Sequence, residues 1–91
     1  MTVRVCLAAQ FAESAGGLEV LALEGATLAA VLRDAAARHP ALGTLLWRDD
    51  ASLNPMVVVF LNGQDIRGGR GLATPVSAGD EVLVLSAVEG G

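Results

Sequence analysis

Gly79-Asp80-Glu81-Val82-Leu83-Val84-Leu85-Ser86-Ala87-Val88-Glu89-Gly90-Gly91 closes the chain, and its reading decides the fold. Ser77-Ala78-Gly79-Asp80 has turn chemistry, and the apolar run Val82-Leu83-Val84-Leu85 that follows predicts a strand over 81–87. The two glycines after it bury nothing, and ordering them costs more backbone entropy than ordering any other residue. What they provide is a thin peptide ending in a carboxylate, able to enter a slot too narrow for a Cβ. Chain ends are commonly frayed and glycine-rich, so the dipeptide alone is a weak signal. It gains weight from the turn and strand before it, and the α-carboxyl of Gly91 is the candidate reactive group.

Outward from that stretch, Met56-Val57-Val58-Val59-Phe60-Leu61 is the strongest strand signal in the chain. Asn62-Gly63 follows at once, the dipeptide of a tight hairpin turn, and 64–67 returns as a short strand. Gly68-Gly69-Arg70-Gly71 does not join a strand to a helix and has no Lys-Ser or Lys-Thr after it, which argues against a phosphate-binding loop. Leu72 and Val76 are expected to pin the next segment to the core. At the other end of the chain, 2–8 alternates, with Val3, Val5 and Leu7 opposite Thr2, Arg4 and Cys6. Residues 10–17 read as a loop, and 18–23 as a second strand pairing antiparallel with the first. Both faces of that second strand are mostly apolar, so its core side is undecided.

Thr27 has the chemistry of a helix N-cap. Leu28, Val31, Leu32 and Ala35 fall at i, i+3, i+4 and i+7, one apolar stripe. His39-Pro40 ends that helix, because the residue before proline is pushed out of the α region. Residues 42–47 suit a short helical turn with Trp47 as a packing anchor, and 48–55 a surface loop. The order is strand, strand, helix, strand, short strand, strand. It predicts an α+β domain over 1–91: a β-grasp, ubiquitin-like, with a mixed sheet of four to five strands. One main helix covers one face, and the final strand lies beside the first. A flexible Gly-Gly tail over 86–91 completes it. Other small α+β arrangements fit the same order.

Composition narrows the function. The chain has 91 residues, 53% of them hydrophobic, and a net charge of −4. An acidic chain of this size argues against nucleic acid and against an anionic membrane surface. All the basic residues are Arg, so no side-chain amine is present to accept an isopeptide bond. Cys6 is the one cysteine and His39 the one histidine, too few for an iron–sulfur cluster or a structural zinc site. Cys6 is expected to be an inert, largely buried thiol. With no signal-peptide pattern at 1–4 and no segment of membrane-spanning length, the expected compartment is the cytoplasm. The sequence contains no general base, metal set or Ser–His arrangement, and no enzyme activity is expected of it.

The order of elements, with Asn62-Gly63, Gly79-Asp80 and Ala87-Val88-Glu89-Gly90-Gly91, resembles the ThiS/MoaD sulfur-carrier family. The block Asp65-Ile66-Arg67, Gly71-Leu72-Ala73-Thr74 and Gly79-Asp80-Glu81-Val82 looks most like the CysO-type carriers and their MoaD-like relatives. Two departures lie beside the tail: many relatives have proline where Ser86 stands and a small residue where Glu89 stands.

The resemblance implies a carrier that binds no cofactor. A C-terminal carboxylate is ionised at neutral pH, with a pKa of about 3.3–3.7, and is a poor electrophile. In the family an ATP-dependent adenylating enzyme, similar to ubiquitin-activating enzymes, joins AMP to the last glycine. A sulfur donor then converts the acyl-adenylate to a thiocarboxylate. The implied roles here are Gly91 as the charged residue, Gly90 as a side-chain-free approach, and Val88 and Glu89 as the neck a partner grips. Phe60, Leu83 and Leu85 are candidates for a docking surface should they be exposed. Implied partners are the adenylating sulfurtransferase, a sulfur-accepting biosynthetic enzyme and a protease that regenerates the tail. Two alternatives stay open: a MoaD-type small subunit of molybdopterin synthase, and a ubiquitin-like modifier or interaction domain.

Overall fold

The computed structural model describes residues 1–87. The elements are β1 (Thr2–Leu7), α1 (Ala9–Ser14), β2 (Val20–Glu24), α2 (Leu28–Arg38), α3 (Pro40–Leu46), β3 (Val57–Leu61), β4 (Gln64–Asp65) and β5 (Glu81–Ser86). Two 3-10 turns, Ile66–Gly68 and Gly71–Ala73, lie between β4 and β5. One five-stranded sheet runs β2-β1-β5-β3-β4. β1 and β5 are parallel, and every other pair is antiparallel. This is the β-grasp: the strand last in sequence sits at the centre, beside the first.

The alternation in the strands sorts the two faces. Val3, Val5 and Leu7 of β1, Val57 and Val59 of β3, and Val82 and Val84 of β5 point into the core. The α2 stripe of Leu28, Val31, Leu32 and Ala35 packs onto them. Thr27 caps α2, its hydroxyl oxygen accepting from the Ala30 N–H at 3.2 Å. His39 ends α2 and opens α3, with Pro40 in the first turn, where its missing N–H costs nothing. Gly43 lets α3 close on α2: a Cβ there would lie 2.6 Å from the Ala36 Cβ. Trp47 anchors the following loop. Its Nε1–H donates to the Leu32 carbonyl at 3.1 Å, and the Arg33 guanidinium lies 5.1 Å over its ring.

Four sequence expectations need correction. Residues 10–17 are not a loop, since α1 forms there and buries Phe11 and Ala12. Its polar residues hide the pattern, and what decides it is the space above the sheet that Phe11 fills. The second strand starts later than expected, at Val20, and its core side is Leu21 and Leu23, leaving Val20 and Ala22 exposed. Ser86, which the expected strand over 81–87 and the expected tail over 86–91 both claim, belongs to β5 and not to the tail: it pairs with Val57 and is buried. Cys6 is half-buried rather than largely buried, because it faces away from the helices.

Candidate functional site

β5 organises the site. At its start, Asn62 and Gly63 turn the chain with φ of 50° and 85°, the paired positive values of a type I′ hairpin turn. The Asn62 Oδ1 accepts from the Glu81 N–H at 2.9 Å, and its Nδ2 donates to the Asp80 Oδ1 at 3.2 Å. The Asp80 Oδ2 accepts from the Ser77 N–H at 2.8 Å. The two turn signals singled out in the sequence, Asn62-Gly63 and Gly79-Asp80, are therefore one clamp that sets where β5 enters the sheet.

At the other end the chain leaves the sheet. The Ala87 N–H donates to the Met56 carbonyl at 2.7 Å, beside a cleft of about 180 Å³ lined by Gln10, Phe11, Leu45, Asn54, Met56, Val57 and Ser86. Leu45 and Met56 are exposed apolar side chains on its rim. The predicted positions of Val88, Glu89, Gly90 and Gly91 lie outside the described residues.

Between these ends is the open face of the sheet. Cross-strand register puts Leu83 opposite Phe60 on β3 and opposite Cys6 on β1, and Leu85 opposite Val58. Facing pairs share a side of the sheet, so the three residues proposed for docking lie together on the face without helices. Leu83 is 37% exposed, and Phe60 and Leu85 are half-buried. The structure adds Val20, 45% exposed on β2, and Cys6 to the same patch. Val20 was missed because both sides of its strand read as apolar; Cys6 was already on the right side of the alternation in β1. Arg4 and Glu81, paired in register, edge the patch with charge.

The carboxylates with depressed pKa lie at the clamp end and on the helix side, not at the exit. Hydrogen bonds from the Arg67 side chain and N–H hold Asp65 below its usual range. The Glu24 N–H, with Arg38 beside it, does the same for Asp34. Among the described residues no group of three or more His, Cys, Asp or Glu is arranged to hold a metal ion. Among them also, no helix is long and apolar enough to cross a membrane.

Residues 5–91 match the ThiS family. The chain belongs to the ThiS family. It is 32% identical over 93 residues to the sulfur carrier protein CysO of Mycobacterium tuberculosis, covering all of both chains. The crystal structure of that CysO superposes with a TM-score of 0.84, over 93% of this chain and 98% of CysO. The complex of BexX and CysO from Amycolatopsis orientalis contains a chain 29% identical, with a TM-score of 0.87 over 98% of this chain and 99% of that one. The small archaeal modifier protein 1 of Methanosarcina acetivorans is 31% identical, with a TM-score of 0.85 over 99% of this chain and 96% of that one. This ThiS-family chain is thus a CysO-like sulfur carrier with a ubiquitin-like fold. Carriers of this family are small, non-catalytic proteins.

Proposed function

We propose that this carrier holds sulfur as a thiocarboxylate on Gly91 and delivers it to a biosynthetic enzyme, for cysteine or another sulfur-containing metabolite. The observation that carries the reading is the geometry of β5. A central strand, clamped at its start, presents an apolar patch on one face and hands the chain out at Ala87, directly before the proposed neck and Gly90-Gly91. The family match extends to residue 91, which supports reading the last glycine as the working group.

The chemistry follows from the end group. A Gly91 carboxylate oxygen attacks the α-phosphorus of ATP on an adenylating partner, and pyrophosphate leaves. The acyl-adenylate carbonyl then accepts a sulfur nucleophile from a donor, and AMP departs with the C–O bond electrons. Gly90 keeps side chains out of the approach, while Val88 and Glu89 form the neck inside the partner. The patch of Phe60, Leu83 and Leu85 is the surface that the adenylating and accepting enzymes hold. A protease that trims an extended product back to Gly91 would renew the carrier.

Intact mass tests this. Incubated with ATP, a sulfur source and an adenylating enzyme known to load another ThiS-family carrier, the protein should gain the mass difference of one sulfur replacing one oxygen. A variant lacking Gly90 and Gly91 should gain nothing. An unchanged mass for the whole chain beside an active control overturns the proposal. A second reading, attachment to other proteins, draws on the likeness to the archaeal modifier. It would appear in cells as Gly-Gly remnants on lysines of other proteins.

A further inference from the structure

At the exit the Ala87 N–H is held by the Met56 carbonyl, and Asn54 braces the residue that carries it. Asn54 holds Met56 from both sides: its Oδ1 accepts from the Met56 N–H at 3.0 Å and its main-chain oxygen from the Val57 N–H at 2.9 Å. The Asn54 N–H donates in turn to the Leu46 carbonyl at 2.8 Å, fastening the turn to the end of α3. Pro55, between Asn54 and Met56, restricts the backbone further by locking its own φ. The Oδ1 bond to the Met56 N–H fixes the turn that brings the Val57 N–H to the Asn54 main-chain oxygen. Because the Met56–Val57 peptide is planar, with C=O and N–H pointing opposite ways, the Met56 C=O is thereby aimed at Ala87.

We infer that Asn54 is a positioning residue for the reactive end, setting through Met56 where and in which direction the chain leaves β5. The inference rests on the proposed role of Gly91. It matters because the arm is short: the four residues 88–91 span at most about 14 Å when fully extended. Over so short a lever, the direction of the root decides where the terminal carboxylate can go. Asn54 is half-buried in the exit cleft and is not part of the patch of Phe60, Leu83 and Leu85, so it governs aim rather than docking.

The test compares Asn54→Ala with Asn54→Asp, which keeps the accepting oxygen. With an adenylating enzyme that loads the wild-type chain, Asn54→Ala should lower kcat for adenylation about fivefold, the worth of one ordinary hydrogen bond. KM for the carrier should stay within about twofold, since the docking patch is untouched, and Asn54→Asp should recover most of kcat. Amide exchange gives a readout independent of any partner: in Asn54→Ala, Ala87 should exchange about fivefold faster while Val59 and Val84 hold to within about twofold. Unchanged kcat in Asn54→Ala, Asp no better than Ala, or equal acceleration at all three amides overturns the inference. If the wild-type chain is not adenylated at all, the proposed function fails. Exchange at Ala87 still decides the positioning: selective acceleration supports it, and no change overturns it.

Discussion

At its first residue β5 is gripped by side chains; just past its last, the Ala87 N–H is held by a main-chain carbonyl. The Asn62–Asp80 clamp uses an amide and a carboxylate to tie three segments together, with three side-chain hydrogen bonds at 2.8–3.2 Å. At the exit the Met56 carbonyl holds the Ala87 N–H, steadied from behind by Asn54. The clamp sets the register of the central strand, so that Val82 and Val84 face the core and Leu83 and Leu85 face outward. A slip of one residue would exchange those two sets. On the proposed function the exit has the opposite requirement, because a chain whose end is to work inside another protein has to be released from the sheet at a defined point. One strand thus serves as structural centre and, on the proposed function, as launching point for the reactive end.

Three changes break or sharpen this contrast. The largest effect belongs to the strand between the two ends. Leu83→Asp should weaken docking to an adenylating partner about thirtyfold, read as KM for the carrier, as expected for a central apolar contact. Its unfolding free energy should fall by less than about 1 kcal/mol, since Leu83 is already 37% exposed. Next is the clamp. Asn62→Ala loses the bonds to Glu81 and Asp80 and puts at φ 50° a residue that tolerates it less well than Asn, so a loss of about 1–2 kcal/mol is expected in urea unfolding. Because the lesion is at the far end of β5 from Ala87, kcat for loading should not change. A matching fall in kcat would show that the two ends are coupled.

The smallest effect is acidic. Asp65 lies opposite Phe60, at the clamp end of β3, and Arg67 holds its folded-state pKa below the ordinary 3.8. The unfolded state therefore binds the proton more readily. The stabilisation is complete above the ordinary value and is lost as pH falls through the depressed one. Asp65→Asn should lower stability slightly at neutral pH and make the acid limb of the stability curve shallower by the same small amount, so that the two curves converge at low pH. In urea titrations at several pH values, a steeper acid limb in this variant would contradict the assignment.

Where short-range chemistry was decisive, the sequence was legible. The i, i+3, i+4, i+7 stripe of α2, the Thr27 cap and the Asn62-Gly63 turn each depend on a few neighbouring residues, and each is present in the structure. Residues with ambiguous neighbours were not legible. Phe11 is one large apolar side chain among alanines and polar residues, too little pattern to mark a helix, and the space above the sheet that it fills makes 9–14 one. Leu21 and Val20 are interchangeable by composition, and pairing with β1 alone puts Leu21 inside. Of the candidate site, Phe60, Leu83 and Leu85 could be named from the chain, but their common face required the register between β3 and β5. Asn54 gave only a turn signal, since its role depends on Ala87, 33 positions further along the chain.

The sequence by itself determined the strand and helix periods, the capped helix, the tight turn and the composition of the chain end, because each is set by forces acting within a few residues. Only the tertiary structure decided that Phe11 and Ala12 are buried in a helix, that Cys6 and Val20 share a face with Leu83, and that Asn62 and Asp80 form one clamp. Those outcomes come from contacts between segments far apart in the chain, whose closure cost is met only when all of them bury the same core together.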